Sequence, residues 1–273
     1  MQEIPIEDVK SLQLEILYCI DEFCSKNGID YSLAYGTLIG AIRHKGYIPW
    51  DDDIDIMMSR NDYERFISSF NGAFEHLTLL SPEIDTNYYA PYANIFDNRT
   101  LLTEGANGHL GQKVGVKIDI FPIDYVSADN DLYTQSIHKV DICNHIMYIK
   151  RLENIFQSDL RLIQVVKIYI QKLIYFFIPY SYLQKKIRNI ATNQINTCSD
   201  YVDNVVFNIY SKKCTRFNKS IMTRYIRLPF ENHYFSAIKE YDIVLRKIYG
   251  NYMQLPPEDM RIAHHNFKAY WID

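Results

Sequence analysis

The run Trp50-Asp51-Asp52-Asp53-Ile54-Asp55-Ile56 constrains this chain more than any other stretch. In an extended segment, side chains alternate between faces, so Asp53 and Asp55 share one face and Ile54 and Ile56 the other. The isoleucines belong in a core, which leaves two carboxylates side by side on the opposite surface of a sheet. Like charges so placed repel, and partial burial sharpens the repulsion. A hard divalent cation relieves it, and Mg²⁺ (or Mn²⁺) takes carboxylate oxygen together with substrate phosphate oxygen. A bare Asp-x-Asp is more often a solvated acidic loop. Here the flanking isoleucines and a glycine element upstream favour a cation site.

Lys117-Ile118-Asp119-Ile120-Phe121 repeats the pattern on a separate predicted strand. With Val116, Ile118 and Ile120 facing the core, Asp119 faces out beside the first pair, as a third metal ligand and an acceptor for a proton from an attacking hydroxyl. Asp124 competes for this role, but its place after Pro122 reads as a turn or a helix cap.

Upstream lies Tyr35-Gly36-Thr37-Leu38-Ile39-Gly40-Ala41-Ile42-Arg43-His44-Lys45-Gly46. Gly36-Thr37, between a strand and a helix, lets backbone N–H groups approach a phosphate at a helix N-terminus. Arg43 can bind phosphate oxygens bidentately and Lys45 can supply a point charge. The bland alternative for both is a solvated helix end, whose dipole suits cations. His44 stays open between a structural and a catalytic reading.

Apolar residues at a period near 3.6 predict a helix over Glu7 to Asn27, stopped by Gly28. A strand over Ile29 to Ala34, a short helix over Leu38 to Arg43, a strand over Asp53 to Met57 and a helix over Asn61 to Phe70 capped by Asn61 follow. Strands are predicted over Tyr88 to Phe96 and Val114 to Phe121, around a loop containing Gly105, Gly108 and Gly111. From Asn130 to about Thr197 the pattern is mostly helical. Leu228-Pro229-Phe230, a helix near Ala237 to Tyr249 and a Pro256-Pro257 loop close the chain. The expectation is a mixed α/β (α+β) core over residues 1–129, a helical insertion over 130–205 and a segment over 206–273 that packs back on the core.

With a net charge of -4 over 273 residues, the chain lacks the concentrated Lys/Arg face of a nucleic-acid binder. Cys19, Cys24, Cys143, Cys198 and Cys214 form no C-x-x-C pair, so reduced packed thiols are expected rather than disulfides or zinc. Met1 to Lys10 carries acids and no apolar h-region, so no signal peptide is expected. Leu160 to Tyr182 is apolar but interrupted by Lys167 and Lys172, which argues against a spanning helix. Its Gln164, Lys167 and Gln171 share one stripe. Packing of the apolar remainder on the core is the preferred reading, with a membrane interface as the alternative.

The run from Tyr35 to Ile56 resembles the signature of the LicD family of phosphotransferases, in the nucleotidyltransferase superfamily, and fukutin-type ribitol-phosphate transferases share it more loosely. The resemblance extends to Lys117–Asp124, Leu228–Asn232, Tyr249–Pro257 and His264-His265. It implies a nucleotidyltransferase-like core with metal-binding Asp53, Asp55 and Asp119, and with Gly36 and Thr37 at the nucleotide phosphates. The implied activity is transfer of phosphocholine, or a related phospho-alcohol or phosphonate, from a CDP-activated donor to a bacterial surface glycan such as lipopolysaccharide, teichoic acid or capsular polysaccharide, releasing CMP. Asn251 stands where an acid is expected more often. The implied setting is cytoplasmic, with a lipid-linked acceptor and peripheral contact at the inner face of the membrane left open. If the cargo is choline, Tyr88, Tyr89 and Tyr92 are candidates for an aromatic cage around its ammonium, against the plainer reading of packing residues. Competing readings are an NTP-dependent nucleotidyltransferase releasing pyrophosphate and an inactive glycan- or membrane-bound scaffold.

Overall fold

A short strand β1 (Gln2–Ile4) leads into helix α1 (Ile6–Asn27). Leu12, Ile16, Leu17 and Ile20 of α1 are buried, each contributing ~1.5–3 kcal/mol by leaving water. Gly28, at φ 58°, ends the helix by donating its N–H to the Cys24 carbonyl, a left-handed conformation that suits glycine. This is the helix and stop read from the sequence. The computed structural model describes residues 1–104, 113–153, 161–193, 199–207, 215–262 and 267–272. The Gly105, Gly108 and Gly111 loop, Cys198, Cys214 and His264-His265 lie outside the described residues.

The chain continues through β2 (Ser32–Leu33), α2 (Tyr35–Arg43), β3 (Asp55–Ser59), α3 (Arg60–Ser69), β4 (Leu77–Leu80), β5 (Ala93–Asp97), β6 (Thr100–Glu104) and β7 (Lys117–Val126). Helices α4 (Asn130–Arg151), α5 (Leu162–Tyr175) and α6 (Tyr180–Thr192) follow. The remainder is β8 (Tyr201–Asp203), β9 (Phe217–Asn218), β10 (Tyr225–Phe230), β11 (His233–Ile238), α7 (Tyr241–Tyr249) and β12 (Phe267–Trp271).

The central sheet is mixed, in the order β2-β3-β7-β5-β4, with β8 and β9 extending it from the far end of β7. Strands β3 and β7 are parallel and their other neighbours antiparallel. Ile54, Ile56, Ile118 and Ile120 face the same core as Ile16, Ile20, Phe66 and Phe70 of α1 and the α3 region, as the alternation requires. The opposite face carries Asp55 and Asp119 and then, further along, Met57, Phe121 and Ile123, which pack with Phe217 and Val244. A separate antiparallel sheet joins both ends of the chain in the order β1-β12-β6.

Several predicted elements shift. The strand at 88–96 contracts to β5 because Tyr88 to Tyr92 form a loop, and the strand at 114–121 slides forward to include Pro122 and Asp124. Pro122 is tolerated because it falls after the β5 pairing stops at Ile120 and before the β8 pairing starts at Asp124. The cap of α3 is Ser59, whose hydroxyl accepts from the Asp62 N–H, rather than Asn61. The predicted helix near 237–249 begins later, because Ala237 and Ile238 belong to the β10–β11 hairpin.

In the helical middle, α4 and α6 bury Tyr133, Ile137, Val140, Leu183 and Ile187 against Val126, Val205 and Val206. Helix α5 does not pack as expected. Only a narrow stripe of it packs, with Val165 buried and Ile168 and Tyr175 partly buried against Ile149 and Leu152, while most of its other apolar residues are exposed. Among the described residues, no single helix is long and apolar enough to cross a membrane.

Candidate active site

The in-register pairing of β3 with β7 sets Asp55 directly opposite Asp119, and the pairing of β5 with β7 sets Asn94 opposite Asp119. Asp55, Asp119 and Asn94 therefore form one row across three adjacent strands. Asp53 precedes the row, and its charge together with that of Asp119 raises the Asp55 carboxyl well above its ordinary range. The first cause of that shift is burial, then Asp53, then Asp119, with Lys117 acting in the opposite sense. The strand predicted over Asp53 to Met57 begins at Asp55, and Asp53 stands in the segment just before it, close enough for its charge to act on Asp55.

Asp119 is held by three donors. Lys117 Nζ reaches Oδ1 at 2.6 Å, the Asn94 amide also donates to Oδ1, and the Tyr92 hydroxyl reaches Oδ2 at 3.2 Å. Asn94 is itself fixed by the hydroxyls of Tyr88 and Tyr89, whose donations its Oδ1 accepts. Sequence reasoning did not single out Asn94, Lys117 or the polar role of Tyr92. The spacing Lys117-x-Asp119 was visible, since residues two apart share a strand face. The Asn94 contact depends on pairing across 25 residues and had no local signal.

Asp51, Asp52 and Asp53 present carboxylate oxygens within 4.8 Å of one another, and this is the three-acid group that the structure brings that close among the described residues. Of the predicted trio, Asp55 and Asp119 face each other on β3 and β7, and Asp53 lies just before β3. Asp53 and Asp119 line one small cleft of about 40 Å³ with Asp52, Lys117, Gln13 and Phe267. The donor set is chemically that of a hard cation: hard carboxylate oxygens, crowded enough to raise Asp55.

Gly36 and Thr37 lie in the first turn of α2, which starts at Tyr35 rather than Leu38. A Cβ on Gly36 would stand 2.6 Å from Asp51 Oδ2, so glycine lets the acidic run approach the helix. Thr37 is buried, and its hydroxyl accepts from the Asp55 N–H at 2.9 Å. It pins the acidic strand to the helix start. Arg43 and Lys45, expected as phosphate partners, make hydrogen bonds within the protein. Arg43 donates to the Tyr252 carbonyl at 2.6 Å and to His44 Nε2 at 2.9 Å. Exposed Lys45 donates to the Ile42 carbonyl at 3.0 Å, and its own carbonyl accepts from the Glu231 N–H. Arg43 ties the end of α2 to the 252–254 loop, and the Lys45 ammonium bonds back to its own helix end. His44, accepting from Arg43, has its pKa lowered by burial and then by the Arg43 charge.

Asp124 is neither turn nor cap. It sits on β7, fully buried, and takes a two-pronged ion pair from buried Arg60, with Nε–Oδ1 at 2.7 Å and NH2–Oδ2 at 2.9 Å. Its partner lies 64 residues away, out of reach of any local pattern.

The three tyrosines do not form a cage. Tyr88 is fully buried, Tyr92 is tied to Asp119, and the Arg151 guanidinium lies 5.6 Å from the Tyr89 ring centre. A cavity of about 400 Å³ does open beside them, lined by Tyr89, Tyr92, Tyr148, Arg151 and Phe207 among others.

A mixed sheet that sets aspartates beside a glycine-bearing helix start defines a nucleotidyltransferase-fold domain, and residues 28–146 match the LicD/FKTN/FKRP nucleotidyltransferase domain family. The chain is 32% identical, over 99% of its own length and 99% of the relative's, to the lipopolysaccharide cholinephosphotransferase LicD of Haemophilus influenzae. It belongs to the LicD family. Two uncharacterized Rickettsia proteins match shorter stretches. The one from Rickettsia typhi is 42% identical over 62 residues, covering 22% of this chain and 20% of that protein. The one from Rickettsia prowazekii is 43% identical over 58 residues, 21% of this chain and 22% of that protein.

Proposed function

We propose that this chain transfers phosphocholine from CDP-choline to a hydroxyl of a bacterial surface glycan and releases CMP. The observation that carries the reading is the row of Asp55, Asp119 and Asn94, with Asp53 leading into it. End-to-end similarity to a lipopolysaccharide cholinephosphotransferase supports the choice of cargo and acceptor.

Asp53, Asp55 and Asp119, with Asp51 and Asp52 adjoining, would hold Mg²⁺ or Mn²⁺, which when bound supplies charge neutralisation at the donor diphosphate. The acceptor hydroxyl oxygen bonds to the distal phosphorus, the bond from that phosphorus to the CMP oxygen breaks, and the hydroxyl proton passes to Asp119. Tyr92, Asn94 and Lys117 orient the Asp119 carboxylate for this. The cavity beside Tyr92 receives part of the donor, with Arg151 as a candidate partner for its phosphates. Reactions of this type depend mainly on positioning and charge stabilisation, which a rigid row of strand residues provides.

A panel of CDP derivatives (choline, ethanolamine, ribitol, glycerol) and NTPs, scored by CMP or pyrophosphate release with added divalent cation, tests the reading. CMP release specific to CDP-choline supports it. Pyrophosphate release from an NTP, or no turnover of any CDP derivative, refutes it.

A further inference from the structure

Helix α5 and the turn after it present, beside the stripe packed on α4, an apolar surface that none of the described residues covers. Leu162, Ile163, Leu173 and Ile174 are 75%, 77%, 70% and 61% exposed, and Phe176 and Phe177 are 73% and 80% exposed. Scattered exposed apolar residues are ordinary, but a contiguous patch on one helix marks an interaction surface.

The surrounding charge indicates what that surface meets. Residues 161–193 contain Arg161, Lys167, Lys172, Lys185, Lys186 and Arg188 and no Asp or Glu, in a chain whose net charge is -4. Arg161, Lys167, Lys185 and Lys186 are exposed. Arg188 pairs with Glu64 at 3.3 Å, and the remaining cations beside the apolar face complement an anionic lipid surface: rings and aliphatic chains enter the acyl boundary while lysines reach the headgroups. At 14 residues, α5 extends only about 21 Å, short of a bilayer core, and it meets α6 at a bend of 84°. By length and composition the bent α5–α6 pair could also enter a bilayer as a broken span, but α5 alone is long enough only to lie on its surface.

The patch is rigidly joined to the catalytic face. Lys150 at the end of α4 donates to the carbonyls of Tyr175 and Ile178 at 2.8 and 2.9 Å, fixing the far end of α5. Tyr180 and Gln184 of α6 donate to the carbonyls of Tyr89, Tyr88 and Ala90, in the loop that lines the cavity beside Asp119.

We propose that the exposed face of α5, with the basic residues of α6, docks the protein on an anionic bilayer surface and so holds the active site at a fixed position relative to a membrane-borne acceptor. This deepens the transfer reading by naming where the acceptor is met, but vesicle binding is measured without donor or acceptor and stands or falls separately.

The test is co-sedimentation of the full chain with vesicles of phosphatidylcholine alone or mixed with phosphatidylglycerol. The wild type is expected to pellet with the mixed vesicles. Leu173→Glu with Phe177→Glu should lower the bound fraction about tenfold or more, since a charge is costly at acyl depth. Lys185→Glu with Lys186→Glu should weaken binding to mixed vesicles alone, and most at low salt. Circular dichroism and thermal melting confirm that each variant is folded, and Phe177→Trp, blue-shifted by mixed vesicles, gives an independent reading of insertion. The proposal is overturned if the wild type stays in the supernatant with both vesicles or if the Leu173/Phe177 variant pellets like the wild type. It is equally overturned if light scattering shows a wild-type dimer that this variant dissociates, because the face would then be covered by a second copy.

Discussion

Asp55 and Asp119 face each other across two parallel strands, and burial, then the charges of Asp53 and Asp119, raise the Asp55 carboxyl well above its ordinary range. Such an arrangement is unfavourable for folding in the absence of a cation, so stability and activity should respond in opposite directions when it is relieved. Asp55→Asn is expected to lower turnover roughly 10²–10³-fold or more while leaving the melting temperature unchanged or higher. Turnover assays beside thermal melts of the purified variant check this. Near-wild-type turnover would remove Asp55 from the site.

Thr37 ties the acidic strand to α2 through the Asp55 N–H. Thr37→Val leaves that buried donor without its acceptor, at a cost of ~1–3 kcal/mol. Thr37→Ser keeps the oxygen and should retain most of both stability and turnover. If valine and serine behave alike, the hydrogen bond is not what places Asp55.

Asp124→Asn separates the two candidate acids by their failure modes. Removing one partner of the buried Arg60 pair is expected to cost ~3–5 kcal/mol in chemical denaturation. Asp119→Asn should instead melt close to wild type and lose turnover. An Asp124 variant that is stable yet inactive would exchange the roles argued here.

Burial pushes the Asp203 carboxyl up to about 6 from 3.8, against hydrogen bonds from Tyr133, Thr215 and the Asn204 N–H that favour the charged form. Between those values the folded chain keeps a proton that the unfolded chain has released. Stability should therefore fall as pH rises from about 4 to about 6, and this contribution is constant above that range. The full effect is at most about 3 kcal/mol. Urea denaturation of wild type and Asp203→Asn should show the wild type losing ground to the variant across that window. A pH-independent difference would contradict the assignment.

Gly40 approaches the loop after α2 so closely that an added Cβ would stand 2.4 Å from the Gly46 carbonyl oxygen. Because the obstruction is backbone, Gly40→Ala should destabilise by ~1–3 kcal/mol. Gly36→Ala meets only the end of the Asp51 side chain and should leave the melt nearly intact while reducing turnover. Equal melting losses at both positions would show that the side chain of Asp51 is as immovable as backbone.

The residue order alone determined α1 with its glycine stop, the two acidic strands and which of their faces carries carboxylate. Those properties follow from local periodicity, 3.6 in the helix and 2 in the strands, and need no knowledge of neighbours. Tertiary structure decided everything that depends on register or on a distant partner. It set Asp119 opposite both Asp55 and Asn94, gave Asp124 to Arg60, turned Arg43 toward the 252–254 loop and left one apolar face of α5 exposed. An amphipathic helix reads the same whether its apolar side meets a core or a lipid surface. Only the packing of the rest of the chain shows which surfaces are already taken.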